Sequence, residues 1–254
     1  MAEDFSGKKV LVTGANRGIG QAIARGFAEG GARVAIHYGS DRAAAEATLA
    51  TLSGDGHLVL QARLEEPEAV RTLAETTLEQ LGVPDVLVNN AGVFEPRPLE
   101  GMAFDEWRRI WERTLAINLS GPAHLSFLLG QAMAGQGHGR IINISSRGAF
   151  RGEPEAPAYG ASKAGLNALG QSLAQAFGHR GVSVTGVAPG FTETDMTREL
   201  LSGKTGDGIR AQSPMGRVAR AEEVASAVLW LASEEAAFAS GTIIDINGAS
   251  HLRT

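Results

Sequence analysis

A tyrosine and a lysine four residues apart are the first side chains that could perform chemistry. They are Tyr159 and Lys163, in the stretch YGASK. On an α-helix, residues four apart lie on the same face, so the phenol and the ammonium could converge on one point. A phenol beside a carbonyl oxygen can donate a proton to it, and a nearby ammonium lowers the phenol's pKa. The same spacing also occurs by chance on surface helices, so other motifs must decide between these interpretations.

A glycine-rich turn stands near the start of the chain, in TGANRGIG at residues 13–20. It follows an apolar run typical of a strand and precedes a helical pattern. Gly14, Gly18 and Gly20 would permit a tight turn and close approach of the backbone to a pyrophosphate. The helix that follows would direct its free amides at the phosphates. The pattern predicts a dinucleotide site, with a purely structural turn as the alternative.

The end of the second predicted strand, AIHYGSDR, bears on which dinucleotide binds. NAD sites usually place an acidic residue here to accept hydrogen bonds from the ribose, but this chain has Tyr38 and Ser40. A carboxylate would repel a 2′-phosphate, whereas its absence beside Arg17 and Arg42 permits one. We expect Asp41 to cap the next helix instead. The pattern favours NADP, with NAD as the alternative.

Short apolar runs alternate with helical stretches along the whole chain, as expected for repeated βαβ units around a buried parallel sheet. The predicted strands lie at 9–14, 33–38, 58–63, 86–92, 140–146, 182–190 and 242–248. No linker or repeat divides them. The sequence therefore predicts an α/β fold of Rossmann type, a doubly wound parallel sheet in three αβα layers, as a single domain over residues 1–254. The glycine-containing stretch 192–216 follows a strand end, where ligands bind, and we expect it to form a mobile substrate lid.

Composition makes several other classes of function improbable. The 254-residue chain has a formal net charge of −5, which provides no basic field for nucleic acid or an anionic membrane. It has no cysteine, and its six histidines show no metal-binding spacing, so we expect no metal site. No apolar stretch approaches the roughly 20 residues of a membrane span, and no signal peptide is visible. We expect a soluble cytoplasmic protein without nucleic-acid or membrane partners.

Further motifs follow in a fixed order: NNAG at 89–92, LAINLSG around Asn118, NISS ending at Ser146, and APGFTETDM at 188–196. With the glycine turn and YGASK, they resemble the classical short-chain dehydrogenase/reductase family over nearly the whole chain. Ser146 stands thirteen residues before Tyr159. The resemblance implies an NAD(P)-dependent oxidoreductase that transfers a hydride between nicotinamide and a ketone or secondary alcohol. It also implies a homotetramer, with helices around 105–130 and 160–178 at an interface.

The resemblance implies four catalytic residues: Asn118, Ser146, Tyr159 and Lys163. Tyr159 would be the general acid and base, with its pKa lowered by Lys163, and Ser146 would hold the substrate oxygen. Ser145 is the alternative to Ser146. Lys163 would also bind the nicotinamide ribose, and Asn118 would anchor a water in a proton path. Alternatively, Asn118 is a buried polar residue bonded to backbone.

The resemblance also implies a set of cofactor contacts. Asn90 to Gly92 would lie beside the adenosine half, with Asn90 also tying adjacent strands, and residues 189–194 would position the nicotinamide. The full set is Gly14, Asn16, Arg17, Gly18, Ile19, Gly20, Tyr38, Asn90, Ala91, Gly92, Tyr159, Lys163, Pro189, Gly190, Thr192 and Thr194. Arg63 departs from the family pattern, because an adenine-recognising aspartate often stands there. An arginine could stack on the ring or reach a phosphate instead.

The substrate stays open among several carbonyl compounds and alcohols. A 3-oxoacyl-acyl-carrier-protein reductase is one alternative, because APGFTETDM and the closing helix resemble that group. An acidic carrier protein would need a basic patch, for which the chain offers Arg140, His138 and Arg180. A polyol or sugar dehydrogenase is a second alternative, and a nucleotide sensor without catalysis is a remote one. The loop residues Arg147, Phe150, Arg151, Glu153 and Glu155 either line the substrate pocket or lie on a solvated rim.

Overall fold

The strands of the protein pair into one parallel sheet. The computed structural model describes residues 3–194 and 197–253. Within them lie β1 (Lys9–Val12), β2 (Arg33–Tyr38), β3 (Leu58–Gln61), β4 (Val86–Asn89), β5 (Gly139–Ile144), β6 (Val182–Pro189), β7 (Thr192–Glu193), β8 (Ala219–Arg220) and β9 (Ile243–Ile246). The seven-stranded sheet has the order β3-β2-β1-β4-β5-β6-β9, while β7 and β8 form a separate pair. All seven predicted strands are confirmed, although most end a few residues earlier because their last residues turn into the loops above the sheet.

Helices cover both faces of this sheet. They are α1 (Gly18–Glu29), α2 (Arg42–Leu49), α3 (Pro67–Gln80), α4 (Phe104–Leu115), α5 (Gly121–Gln136), α6 (Gly148–Arg151), α7 (Pro157–Gly178), α8 (Gly203–Arg210) and α9 (Ala221–Ala232), with a π-helical turn at Ala116–Ser120 and a 3-10 turn at Ala237–Ala239. Proline opens α7, where its fixed φ suits a first helical turn that needs no N–H donor. An alanine-rich sequence then continues the helix past Tyr159 and Lys163.

Side chains alternate along β1 between two separate apolar cores. Val10 and Val12 pack on one face with residues of α1 and α9, while Leu11 packs on the other with residues of α3 and α5. Alternation of this kind follows from the two-residue repeat of a strand, and it requires an apolar layer on each side of the sheet. The predicted three-layer, single-domain Rossmann-type architecture is confirmed.

The predicted lid contains more regular structure than its composition indicates. Strand β7 and helix α8 fall inside 192–216, and Thr192 pairs with Ala219 beyond the segment. Residues 195 and 196 of the predicted lid and of the APGFTETDM motif lie outside the described residues. Across the described parts of the chain, no helix combines the length and apolar character that crossing a bilayer requires.

Candidate active site

A cleft of about 1100 Å³ opens where the carboxyl ends of the sheet strands meet. In open α/β sheets, ligands bind at this edge where the strand order reverses, here between β1 and β4. Every residue predicted to contact the cofactor lines the cleft, as do Ser146, Tyr159 and Lys163. Asn118 is the one predicted site residue that does not line it.

The glycine-rich turn brings bare backbone to the floor of the cleft. Gly14 has a φ of 61°, and a Cβ there would come within 2.9 Å of Ala91 Cα. A Cβ on Gly20 would come within 2.4 Å of the Asn90 side chain and the Gly14 carbonyl oxygen. Both positions therefore require glycine. Helix α1 begins at Gly18, so its free N-terminal amides face the space that the turn leaves open.

A buried histidine that the sequence did not single out holds this turn in place. The Gly14 N–H donates to His37 Nδ1 (3.1 Å), while His37 Nε2 lies 3.1 Å from the Ala62 carbonyl oxygen. Because that oxygen can only accept, Nε2 carries the proton and the ring is neutral. Burial lowers the pKa of His37 to about 4. The only sequence signal for it is a polar residue within the buried run of β2.

Asn90 fastens the end of β4 to the end of β1, as predicted. Its Nδ2 donates to the carbonyl oxygens of Thr13 (2.8 Å) and Gly14 (3.0 Å). The N–H groups of Asn90 and Ala91 both donate to the Thr13 hydroxyl, at 2.9 and 3.0 Å. These bonds keep the NNAG backbone against the glycine turn, so the two motifs form one wall of the cleft.

The acidic residue nearest the end of β2 is Asp41, which lines the cleft and is engaged by the next helix. Asp41 caps α2, since its Oδ1 accepts from the Ala44 N–H at 3.0 Å, which confirms the sequence prediction. Arg17 is exposed at the N-terminus of α1, and Arg42 pairs with Glu46 at 2.7 Å. Both arginines line the cleft. The guanidinium groups therefore surround this end of the cleft on two sides.

Arg63, the departure from the family pattern, also lines the same end of the cleft. Its guanidinium pairs with Glu65 (3.0 Å) and with Glu66 (3.3 Å), and its side chain is 62% exposed. An exposed ion pair of this kind contributes little to stability. Arg63 is thus placed to face an adenine or a phosphate without being needed for the fold.

The residues assigned to the nicotinamide end lie on the loop after β6. A Cβ on Gly190 would come within 3.1 Å of Asn247 Cα, so the loop packs closely on the C-terminal segment. Thr192 is buried, and its hydroxyl donates to the Gly190 carbonyl oxygen at 3.3 Å. The Thr194 N–H donates to the Thr197 hydroxyl at 3.0 Å. These contacts fix a loop that lines the cleft and approaches the glycine turn, since a Cβ on Gly18 would lie 3.2 Å from Thr194 Cγ2.

Tyr159 and Lys163 lie on one face of α7, as their spacing predicted. Lys163 Nζ donates to the Ile144 carbonyl oxygen (2.7 Å) and lies 5.8 Å from the centre of the Tyr159 ring. The Tyr159 ring packs edge-on against Phe94, with centroids 5.0 Å apart. Tyr159 and Lys163 therefore line the same cleft, with Phe94 packed against the tyrosine ring.

The structure distinguishes between the two serines at the end of β5. Ser146 hydrogen-bonds to the Tyr159 phenol, and its Oγ also accepts from the Gly148 N–H at 3.0 Å. Ser145 is 3% exposed and turns its hydroxyl toward the Lys163 carbonyl oxygen at 3.4 Å. Both serines line the cleft, and Ser146 is the one whose hydrogen bonding lowers the pKa of Tyr159.

Burial determines the pKa of the tyrosine, contrary to expectation. It raises the pKa of Tyr159, a hydrogen bond from Ser146 lowers it, and the charge of Glu153 raises it further. The expectation that Lys163 brings this pKa below its usual value was wrong for the protein's own residues, because desolvation of the phenolate dominates. At neutral pH Tyr159 is therefore a protonated donor, which suits reduction of a carbonyl.

Lys163 is buried and forms no ion pair with any residue among 3–194 and 197–253, so desolvation also governs its charge. Burial lowers its pKa from 10.5 to about 8. Below about pH 8 the residue is protonated in both the folded and the unfolded chain, and the cost of burying the charge is fully present. Between about pH 8 and pH 10.5 the unfolded chain keeps a proton that the folded chain has lost. This group's contribution to stability therefore rises with pH across that window.

We expect the free energy of unfolding of the wild type, relative to that of Lys163→Met, to rise between about pH 7 and pH 10.5. The rise should be about 3 kcal/mol, from a pKa lowered to about 8. Urea unfolding at several pH values measures it, and the variant serves as the control because it retains every other titrating group. A difference that stays flat or falls with pH would contradict a buried, desolvated ammonium.

Asn118 lies in the π-helical turn and is fully buried beneath the cleft. Its Oδ1 accepts from the Val93 N–H (2.8 Å), and its Nδ2 donates to the Val93 carbonyl oxygen (2.9 Å) and to Ser162 Oγ (3.2 Å). A Cβ on Gly92 would lie 3.3 Å from Asn118 Oδ1 and 3.4 Å from Lys163 Nζ. The residue is therefore close to Lys163, but its hydrogen bonds fit the alternative of a buried amide bonded to backbone.

Of the residues expected to contact a substrate or a carrier protein, some line the cleft and others lie outside it. Of the five in the loop after Ser146, Arg147 and Glu153 line the cleft. Arg140, a candidate for the basic patch, is 11% exposed in its side chain and pairs with Glu234 at 3.1 Å. His138 lies 3.2 Å from Asp85. Two of the three candidate carrier contacts are thus already engaged by acids, while Arg180 is exposed.

Comparison with known proteins gives matches over nearly the whole chain. A family model described as enoyl-(acyl carrier protein) reductase matches residues 14–251. The chain is 41% identical to 3-oxoacyl-acyl-carrier-protein reductase FabG of Escherichia coli strain K12, over 98% of this chain and 99% of that protein.

Solved structures are similar as well. One titled as a short chain dehydrogenase/reductase family protein superposes with a TM-score of 0.86 and is 35% identical, covering 96% of this chain and 97% of the other. A second, titled a short-chain dehydrogenase/reductase, glucose/ribitol dehydrogenase, from Brucella melitensis, has a TM-score of 0.90 at 30% identity and covers 100% of both chains.

Proposed function

Because this chain belongs to the short-chain dehydrogenase/reductase family, we propose that it reduces ketones with NADPH and uses Tyr159 as the proton donor. The chain is an NAD(P)-dependent oxidoreductase that acts on small-molecule CH–OH or C=O groups. The observation that supports NADPH is the end of β2, where Asp41 serves as a helix cap while Arg17 and Arg42 line the cleft. A 2′-phosphate there would meet the two guanidinium groups, while the Asp41 carboxylate, which also lines the cleft, is held by the Ala44 N–H.

The residues of the cleft fit a dinucleotide. Gly14 and Gly20 let the turn pack tightly against Ala91 and Asn90, where a Cβ would collide, so the turn can present its backbone to a pyrophosphate. Asn16 and the backbone of Gly18, Ile19 and Gly20 hold the phosphates in our proposal. Tyr38 and the segment from Asn90 to Gly92 hold the adenosine half, and Pro189, Gly190, Thr192 and Thr194 hold the nicotinamide. Lys163 binds the nicotinamide ribose.

The proposed chemistry divides the reduction between a hydride and a proton. The bound nicotinamide supplies the hydride to the carbonyl carbon. Ser146 donates a hydrogen bond to the substrate oxygen, and the Tyr159 O–H gives its proton to the same oxygen as negative charge develops. Lys163 holds positive charge beside the phenol while Tyr159 is deprotonated. Asn118 fixes Val93 and Ser162 beneath this group and so positions Lys163.

We also propose a cytoplasmic homotetramer in which residues 192–216 close over the substrate. Support for subunit contacts comes from α4 and α5, where Phe104 is 73% and Phe127 is 56% exposed, and where Trp107 stacks on Trp111 at 5.5 Å. Exposed aromatic clusters of this kind mark interaction surfaces. The absence of cysteine supports a reducing compartment.

Titration of the purified protein with NADPH and with NADH, followed by nicotinamide fluorescence, tests the cofactor assignment. We expect NADPH to bind more tightly because its extra phosphate pairs with the arginines. A panel of ketones with the preferred cofactor then tests the reaction by loss of absorbance of the reduced nicotinamide. Tighter binding of NADH would contradict the cofactor proposal, and a panel with no turnover would contradict the reaction.

A second candidate is reduction of 3-oxoacyl thioesters on an acyl carrier protein. It is favoured by the 41% identity to a 3-oxoacyl-acyl-carrier-protein reductase over nearly the full length of both chains. The pairing of Arg140 with Glu234 and the position of His138 near Asp85 leave little of the expected basic patch. Comparing a carrier-bound thioester with the same acyl group on a short thiol tests it, because carrier recognition would favour the former.

A further inference from the structure

Arg147, the residue directly after Ser146, is a buried cation at the substrate end of the cleft. It is 3% exposed, although arginine is rarely buried without a partner. Its N–H donates to the Pro189 carbonyl oxygen at 2.9 Å, so its backbone is fixed between the candidate catalytic serine and the nicotinamide loop. The side chain lines the same cleft as Ser146 and Tyr159.

The guanidinium of Arg147 has few partners. Nη2 donates to Gln212 Oε1 at 2.5 Å, and the group lies 5.1 Å from the centre of the Phe191 ring. Among residues 3–194 and 197–253, no carboxylate comes within 4.0 Å of it, and the nearby Glu153 pairs with Arg151 at 3.6 Å. Burial without an acidic partner is costly for a charged group, and it lowers the pKa of Arg147. A guanidinium nevertheless stays protonated.

Arg147 borders open space on two sides. It lines the main cleft and also a second cavity of about 300 Å³, which it shares with Phe191 and Ser213. Nε and Nη1 of Arg147 form no hydrogen bond with any described residue, and neither atom is fully buried. These donors are therefore accessible from a cavity. A planar fork of N–H groups in this state fits a carboxylate.

We propose that Arg147 binds a carboxylate of the substrate, so that this chain reduces oxo acids to hydroxy acids. The inference rests on the proposed function and names its substrate class. In the reaction, NADPH gives a hydride to the ketone carbon, the C=O π bond breaks, and Tyr159 protonates the oxygen. The products are NADP⁺ and the hydroxy acid, a proton is taken from solvent, and the carboxylate is unchanged.

A matched set of substrates tests this proposal. Each oxo acid, with the carboxylate one to four carbons from the ketone, is compared with its methyl ester, and a phosphorylated ketone is compared with its parent. We expect the wild type to prefer the best acid over its ester by about 10- to 100-fold in kcat/KM, the range for a hydrogen bond to a charged group. Arg147→Met should remove the preference, whereas Arg147→Lys should keep part of it because the charge remains.

Arg151→Met is the matched control. Arg151 is the next arginine along the loop, pairs with Glu153, and lines neither cavity, so the acid preference should persist in this variant. Equal reduction of acid and ester by the wild type would overturn the proposal. So would an Arg147→Met variant that loses activity on both to the same extent, since that result indicates a structural role through Gln212. If that variant fails to fold, the wild-type ratio and Arg147→Lys decide.

Three remaining outcomes are distinguishable. Preference for the phosphorylated ketone over every oxo acid would overturn the carboxylate and identify a phosphate site. Turnover of neutral ketones without any acid preference would overturn the role of Arg147 but leave the proposed reductase intact. No oxidation of NADPH with any acid, ester or ketone would instead count against the proposed function itself.

Discussion

Replacing Tyr159 by Phe lowers kcat for ketone reduction by about 10²- to 10⁴-fold, the usual contribution of general acid catalysis, while NADPH still binds. Phenylalanine keeps the ring that packs on Phe94 at 5.0 Å, so the change removes the O–H group and little else. Because burial raises the pKa of Tyr159, the phenol is protonated at neutral pH and its loss leaves the developing alkoxide without a proton donor. Steady-state kinetics and a fluorescence titration with NADPH measure the two effects.

The chain supplies its own control for this substitution. It contains two tyrosines, and the other, Tyr38, lies at the adenosine end of the cleft. Tyr38→Phe removes a phenol O–H of the same type away from the reacting carbonyl, so it should change KM for NADPH rather than kcat. If Tyr159→Phe kept kcat within a few-fold of the wild type, another group would have to donate the proton.

Replacing Gly39 by Asp raises the Kd for NADPH by about 10- to 100-fold, because a carboxylate placed beside a 2′-phosphate repels it. Gly39 follows β2 directly, lines the cleft, and offers open space, since an added Cβ meets no atom within 4 Å. Its φ lies outside the left-handed region, so the backbone accepts a side chain without strain. The same carboxylate can accept hydrogen bonds from a free ribose, which should shift the preference toward NADH.

The isosteric variant Gly39→Asn separates charge from size. It adds nearly the same volume without the negative charge and should keep most of the affinity for NADPH. Fluorescence titrations of the wild type and both variants with each cofactor give the comparison. If the Asp and Asn variants lost equal affinity for NADPH, or if the Asp variant still preferred NADPH, the end of β2 would not recognise the 2′-phosphate.

Local patterns account for the parts of the site that were predicted correctly. The seven sheet strands, the helix that carries Tyr159 and Lys163, and the cap at Asp41 depend on residues within a few positions of one another. The glycine turn belongs with them, because a φ of 61° at Gly14 is accessible to glycine and costly for other residues. Such preferences act through backbone geometry and short-range burial, so they can be predicted from the sequence.

Other properties of the site depend on contacts between distant parts of the chain. Gly14 meets His37, Arg147 meets Gln212, and Arg140 meets Glu234 across separations of 23, 65 and 94 residues. The direction of the Tyr159 pKa shift was predicted wrongly for the same reason, since desolvation by the folded chain outweighs the lowering by the Ser146 hydrogen bond and the charge of Glu153 adds to it. No local pattern reports which distant groups exclude water from a side chain.

The sequence by itself determined the sheet, the glycine turn, the YGASK helix and the family. Each of these depends on the spacing of nearby residues or on the order of motifs along the chain. Only the tertiary structure showed that Ser146 acts on the pKa of Tyr159, placed His37 under the turn, paired Arg140 with Glu234, and buried Arg147 with no carboxylate of the described residues within 4.0 Å. Hydrogen bonds and desolvation arise only when distant parts of the chain pack together. The charge state and the hydrogen-bond partners of a side chain therefore depend on the tertiary structure.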